Sequence, residues 1–323
     1  MLSERENFLR ALNGEIPEYV PRYDILWTVR PSMLWGDLLT GAGKDIFGVE
    51  WTSEGSVIAM PVPKPGHFIL NDVRKWRDVI KFPDFADVDW ADMAKKDLEH
   101  HDPSLPRGGG LVITSFFQAF ISFMGFTEGL VACVEEPVEV RELLEHMCDY
   151  YLGFADKMLY YYKPDYIMFS DDIATERSPF ISLDTFHDLF EPVWRRYIKY
   201  FKDRGYLAVH HNCGKFDAFI DDVVDMGYNA WDPAQVSNDL PGVKKKYGRR
   251  LMLIGCFDPL PLLSHHNPTE EQCRAAMKKT MDTFAPDGGF AVMLGSMDSH
   301  NIDPKAKAWV IEEYEKSKGL YYQ

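Results

Sequence analysis

The chain has 323 residues, of which 46% are hydrophobic, and carries a formal net charge of -15. That length and apolar content suit one large folded core and exclude disorder, and the acidic balance excludes a nucleic-acid binder that works by neutralising phosphates. Five cysteines, at 133, 148, 213, 256 and 273, are odd in number and scattered, which is no disulfide framework, and no stretch is apolar for long enough to span a bilayer. The expectation is a cytoplasmic protein in a reducing compartment, with no membrane partner.

In chain order, Ser3 to Asn13 reads as a helix, with Ser3 as N-cap and Gly14 just past its end. Pro21 to Thr28 is a strand candidate that carries Trp27 toward its end, with Arg30 just beyond. Residues 31–83 are rich in Gly, Pro and aromatics and read as a long excursion over one face, with room for a hairpin. From Gly110 onward the pattern alternates. Strands are expected at Leu111–Ser115, Tyr166–Ser170, Leu207–His211, Tyr228–Trp231, Leu251–Gly255 and Phe290–Leu294. Helical periodicity fills Val138–Tyr162, Leu183–Asp203, Lys215–Met226, Thr269–Phe284 and Pro304–Lys318. Nearly all-apolar strands alternating with helices imply a parallel sheet covered by helices. Seven strands are clear, and the FGVEW stretch is a weak eighth. The expected class is α/β, a (β/α)8 TIM barrel formed as a single domain over residues 1–323, with an open doubly wound sheet as the alternative.

In such barrels chemistry sits at the carboxyl ends of the strands. The most informative end is LAVHHNCG, residues 207–214. Side chains two apart on a strand point the same way, so His211 and Cys213 project together, and imidazole with thiolate suits zinc. A lone His-x-Cys is common and two ligands do not complete a site. The Tyr166 strand ends in Ser170-Asp171-Asp172, followed by Glu176. Adjacent carboxylates face opposite ways, so either one can serve the pocket while the other caps the next helix, or both are caps. Other strand ends offer Phe116, Phe117, Trp231, Asp232, Gln235, Cys256 and Asp258, with His300 in the last loop. Helix capping accounts for part of this list, since Asp, Ser and Asn are favoured there.

The stretches HNCG, SDDIATERSPFIS, DPAQ, GCFDP and GSMDSHNIDP together resemble the uroporphyrinogen decarboxylase superfamily, most specifically from Tyr166 to Asp303. The resemblance implies a (β/α)8 barrel and divides into two branches. True decarboxylases carry an arginine pair after the first strand. Here WTVRPSMLWGD offers Arg30 alone, which favours the second branch, the cobalamin-dependent methyltransferases. In that branch His, Cys and a later Cys hold zinc. His211 and Cys213 match the first two, and Ser296 stands near the third position, leaving Cys256, Glu176 or Glu191 to complete the set. The implied reaction moves a methyl group from a methoxylated aromatic to the cobalt of a cobalamin on a partner corrinoid protein. Zinc acts as Lewis acid, and Asp172, Glu176 and His300 are the acid or hydrogen-bonding groups. Trp27, Phe116, Phe117 and Trp231 are candidate walls for the ring, and Arg30, Gln235 and Asp258 candidate substrate contacts. The chain lacks a D-x-H-x-x-G cobalamin signature, so the corrinoid comes on a separate protein, and relatives of this kind are monomers or homodimers. Transfer from methyl-corrinoid to a thiol, decarboxylation of a tetrapyrrole, and a non-catalytic binding barrel are the alternatives.

Overall fold

The computed structural model describes residues 2–23, 27–34, 36, 38, 42–53, 61–111, 115–258, 262–293 and 302–322. Helix α1 (Glu4–Leu12) opens on a capping box, in which Ser3 and Glu6 each satisfy the other's backbone N–H. Strand β1 is Trp27–Val29. The excursion that follows forms a small antiparallel sheet of β2 (Gly43–Lys44), β3 (Glu50–Thr52) and β4 (Val62–Pro63), then helices α2 (Trp76–Val79) and α3 (Trp90–Asp97). The FGVEW stretch therefore supplies β3 of this small sheet, not an eighth strand of the main one.

The main sheet continues with β5 (Arg107–Gly109), β6 (Tyr166–Ser170), β7 (Leu207–His211), β8 (Ala230–Ala234), β9 (Met252–Gly255) and β10 (Phe290–Val292). Between β5 and β6 run α4 (Phe117–Met124), α5 (Phe126–Glu135), α6 (Pro137–Leu152) and α7 (Ala155–Tyr162). After β6 come α8 (Leu183–Thr185), a π-helical turn at 186–190 and α9 (Glu191–Lys202). Then α10 (Ile220–Asp225), α11 (Leu240–Tyr247), α12 (Glu270–Phe284) and α13 (Pro304–Ser317) follow β7, β8, β9 and β10. Among the described residues seven strands lie parallel in the order β1-β5-β6-β7-β8-β9-β10. A doubly wound sheet needs a point where strand order reverses. There is none here, so that alternative is excluded. The sheet curls until Arg22, just ahead of β1, forms a parallel bridge with Val292 of β10. Tyr23 N–H donates to the Val292 carbonyl at 2.9 Å, and Val292 N–H to the Pro21 carbonyl at 2.9 Å. The described ladders stop short of a continuous ring.

Period-two alternation sorts the strand side chains into two apolar clusters. Ile167, Phe169, Ala208, Trp231, Leu253 and Phe290 face the helices. Tyr166, Met168, Val209, Ala230, Met252, Ile254 and Ala291 face inward, together with Phe8, Ala11 and Leu12 of α1. The Phe8 ring lies 5.5 Å from that of Tyr166, the first residue of β6. Helix α1 therefore plugs the amino end of the curled sheet, which leaves the carboxyl end for chemistry.

The plug is held by Arg5, whose Nε donates to Asp165 Oδ2 at 2.9 Å, while Asp165 also accepts the Arg107 N–H at 2.9 Å. Burial pushes the Asp165 carboxyl up, but Arg5 and the Arg107 N–H outweigh it and hold it below the ordinary carboxylate value. A depressed folded value means stability that is complete above the unfolded value, about pH 4, and lost as pH falls through the folded one. Asp165→Asn should cost about 1 kcal/mol at neutral pH, as a partly exposed pair does. Urea midpoints at pH 7 and pH 3 check this. The gap between wild type and variant should close on acidification, and an equal gap at both pH values would refute the assignment.

One expected element differs in place. The second strand of the main sheet is described at Arg107–Gly109, and the expected Leu111–Ser115 lies mostly outside the described residues, since 112–114 are not among them. A Cβ on Gly108 would come within 2.7 Å of the Tyr166 ring, and one on Gly109 within 2.5 Å of the Pro164 side chain. Close approach thus demands glycine where strand propensity argues against it. Helix α4 is buried nearly all round, with six of its eight residues in the core. Among the described residues no single helix is long and apolar enough to cross a membrane.

Candidate metal centre

Strand β7 delivers His210 and His211 to the carboxyl edge of the sheet. The alternation that turns Val209 inward turns His211 inward too, while His210 goes outward among Phe169, Trp194, Phe216 and Tyr228. Burial first, then the neighbouring His211, pushes the His210 imidazole far below its ordinary value, so it stays neutral. Beyond the strand, Asn212 pins the turn. Its N–H donates to the Asp232 carbonyl at 2.9 Å, its side-chain amide to the Asp171 carbonyl, and its own carbonyl accepts the Trp231 indole N–H at 3.0 Å. Gly214 completes the turn at φ +89°, where a Cβ would meet the Thr175 carbonyl oxygen at 2.4 Å. The result aims Cys213 back at His211, with Sγ 3.7 Å from Nε2.

Asp172 supplies the third group. Its Oδ1 accepts the Cys213 N–H at 2.7 Å and its Oδ2 the Gln118 side-chain amide at 3.3 Å. One ligand atom from each of Asp172, His211 and Cys213 lies within 4.8 Å of the others, and all three residues are partly exposed. Asp171 turns the other way. It is fully buried and accepts the N–H groups of Phe116, Phe117 and Gln118 at 3.0–3.1 Å and the Trp194 indole at 2.8 Å. Burial raises its carboxyl to about 6 against those four donors.

The donor set suits zinc. Tetrahedral ligands at Zn–S of about 2.3 Å and Zn–N of about 2.0 Å sit roughly 3.5 Å apart, close to the observed sulfur–nitrogen separation. Nδ1 of His211 is 3.2 Å from Asp232 Oδ2, which leaves Nε2 as the ligand atom facing Cys213. Burial opposes charge on His211, but Asp232, Cys213 and Asp172 outweigh it and raise the imidazole well above its ordinary value. For the Cys213 thiol, burial outweighs the pull of His211 and raises it.

The other expected ligands do not join this cluster. Glu176 is exposed in the turn closed by Thr175 and Ser178, Glu191 at the start of α9 is held by Arg195 at 2.7 Å, and Cys256 is buried beyond β9 at φ +57°. Cys256 and Asp258 instead line a separate cavity of about 420 Å³ with Leu240 of α11 and Thr280 and Phe284 of α12. Phe116 and Phe117 are core residues packed on Tyr151, Phe169 and Phe180, and Trp231 is fully buried, so none of the three walls a pocket. Gln235 accepts the Gly214 N–H and shapes the turn after Cys213. Arg30 is half-buried beyond β1, where Tyr23 and Asp232 feel its charge. Trp27 lies in β1 with its side chain outside the described set, and Ser296 and His300 lie outside the described residues. Sequence reading missed Tyr23 and the pairing of Asp232 with His211. The last had a signal, because β7 and β8 are parallel neighbours and His211 and Asp232 are register partners.

The model of the uroporphyrinogen decarboxylase (URO-D) family matches residues 108–316, well over half of the chain. The chain belongs to the uroporphyrinogen decarboxylase family. No curated protein matches it. Among solved structures, a methyltransferase from Methanosarcina mazei superposes with a TM-score of 0.63 at 15% sequence identity, covering 98% of this chain and 99% of that one. At that identity the likeness is one of fold, and it extends along nearly the whole of this URO-D chain.

Proposed function

We propose that this URO-D family member is a zinc-dependent methyltransferase of a single (β/α)8-barrel domain. It moves a methyl group from a small methoxylated aromatic to the cobalt of a cobalamin on a partner corrinoid protein. The observation that carries the reading is the convergence of Asp172, His211 and Cys213 at the open end of the sheet. The Methanosarcina neighbour, itself a methyltransferase, supports methyl transfer in general. Decarboxylation of a porphyrinogen is less well served, since only Arg30 stands where an arginine pair would meet the substrate's carboxylates.

In the reaction the methyl–oxygen bond breaks and a methyl–cobalt bond forms, and the oxygen leaves with the bonding pair and gains a proton. A zinc ion bound here would act as a Lewis acid toward that departing oxygen. One thiolate beside a carboxylate and an imidazole makes a harder donor set than two thiolates, which suits oxygen better than a thiol as the group acted upon. The chain's own residues hold this arrangement. Gln118 and the Cys213 N–H fix Asp172, Asp232 fixes His211, and α1 closes the amino end of the barrel. The five cysteines are free in the structure, which fits action in the reducing cytoplasm.

The deciding experiment supplies purified protein with a reduced corrinoid protein and methoxybenzenes, and follows methyl-cobalamin formation by its absorbance. Methyl transfer from the ether supports the reading. Turnover only of methyl-corrinoid with a thiol, or carbon dioxide release from a porphyrinogen, would replace it with one of the alternatives.

A further inference from the structure

Asp232 is 2% exposed, at a level of the barrel where its inward-facing neighbours include Val209, Ala230 and Ile254. A carboxylate in such surroundings costs several kcal/mol unless another charge or hydrogen bond compensates it. Its Oδ2 lies 3.2 Å from His211 Nδ1, while its Oδ1 makes no hydrogen bond among the described residues. The Tyr23 and Tyr166 hydroxyls and the Arg30 guanidinium are near enough to feel its charge. The register of β7 against β8 makes the contact with His211 a property of the sheet, not of a loop.

From this juxtaposition we infer that Asp232 is the positioning residue of the metal centre, a carboxylate that commits Nδ1–H of His211 and so presents the Nε2 lone pair beside Cys213. The inference rests on the zinc reading above and extends it to a residue that touches neither ion nor substrate. A carboxylate behind a histidine ligand fixes its tautomer and ring orientation and raises its basicity, and loss of such a partner weakens metal binding by about 10–100-fold. A purely structural Asp232 would leave metal affinity untouched in any variant that folds.

The test measures zinc affinity of the full-length protein by competition with a chromophoric chelator, for wild type, Asp232→Ala and Asp232→Asn. The Ala variant should bind about 10–100-fold more weakly. The Asn variant should fall between, since its Oδ1 still accepts Nδ1–H but brings no charge. Nitrogen-15 shifts of His211 in the metal-free protein, recorded at a pH high enough for the imidazole to be neutral, give a second readout, with Nδ1 protonated in wild type and a mixture of tautomers in Asp232→Ala. Unchanged affinity in a folded Asn variant, or unchanged affinity and tautomer in a folded Ala variant, would overturn the inference while leaving the zinc reading intact. A wild type that binds no zinc would overturn the zinc reading, and the inference with it.

Discussion

Purified protein should carry about one zinc ion per chain, and His211→Ala, Cys213→Ala and Asp172→Ala should each lose it on dialysis. The expectation follows from the three converging ligand atoms, which come from two adjacent strand ends and are each held by a separate contact. A three-ligand site cannot spare one of them. Removing a ligand should weaken binding by more than the roughly 100-fold that an outer partner can account for. If zinc stabilises the departing oxygen by several kcal/mol, methyl transfer should fall about 10³-fold in the same variants. The controls matter as much as the losses. Glu176→Gln, Glu191→Gln and Cys256→Ser should keep the ion, because these side chains are exposed, paired with Arg195, or buried beside another cavity. Loss of zinc from Cys256→Ser with retention in Asp172→Ala would show that the third ligand has been misassigned.

Much of this molecule can be read from its residues alone. The strands at Tyr166–Ser170 and Leu207–His211 appear where the apolar runs place them, because each is a continuous buried stretch ended by polar residues. His211 and Cys213 meet, as period two requires. The third ligand was hidden for a definite reason. Asp172 and Cys213 are 41 positions apart, and what joins them is a backbone N–H, which no side-chain motif reports. The aromatic residues show a different limit. Phe116, Phe117 and Trp231 follow or end strands, and nothing in their identity separates a pocket wall from a core ring. Only the packing places Phe116 among Tyr151, Phe169 and Tyr197. The Gly108–Gly109 strand was illegible because its glycines answer to Tyr166 and Pro164, residues more than fifty positions away.

Asp171→Ala should be among the most damaging single substitutions to stability, and should act on the metal centre only indirectly. The carboxylate is fully buried and meets three successive backbone N–H groups at the start of α4, together with the Trp194 indole of α9. It thus ties the end of β6 to two helices of the outer layer, and α4 in turn carries the Gln118 that holds Asp172. Truncation leaves four donors without their acceptor in a space too enclosed for ready hydration. Each buried unsatisfied group costs about 1–3 kcal/mol, and partial relaxation brings the expected loss to about 4 kcal/mol. Its neighbour provides the contrast. Asp172→Ala gives up two hydrogen bonds at a partly exposed position, so its unfolding midpoint should move by no more than about 1 kcal/mol while its zinc is lost. Urea unfolding of the two variants in metal-free buffer, set beside their zinc contents, separates the roles. A stable Asp171→Ala protein would mean that α4 is anchored by its packing alone, with the four hydrogen bonds adding nothing measurable.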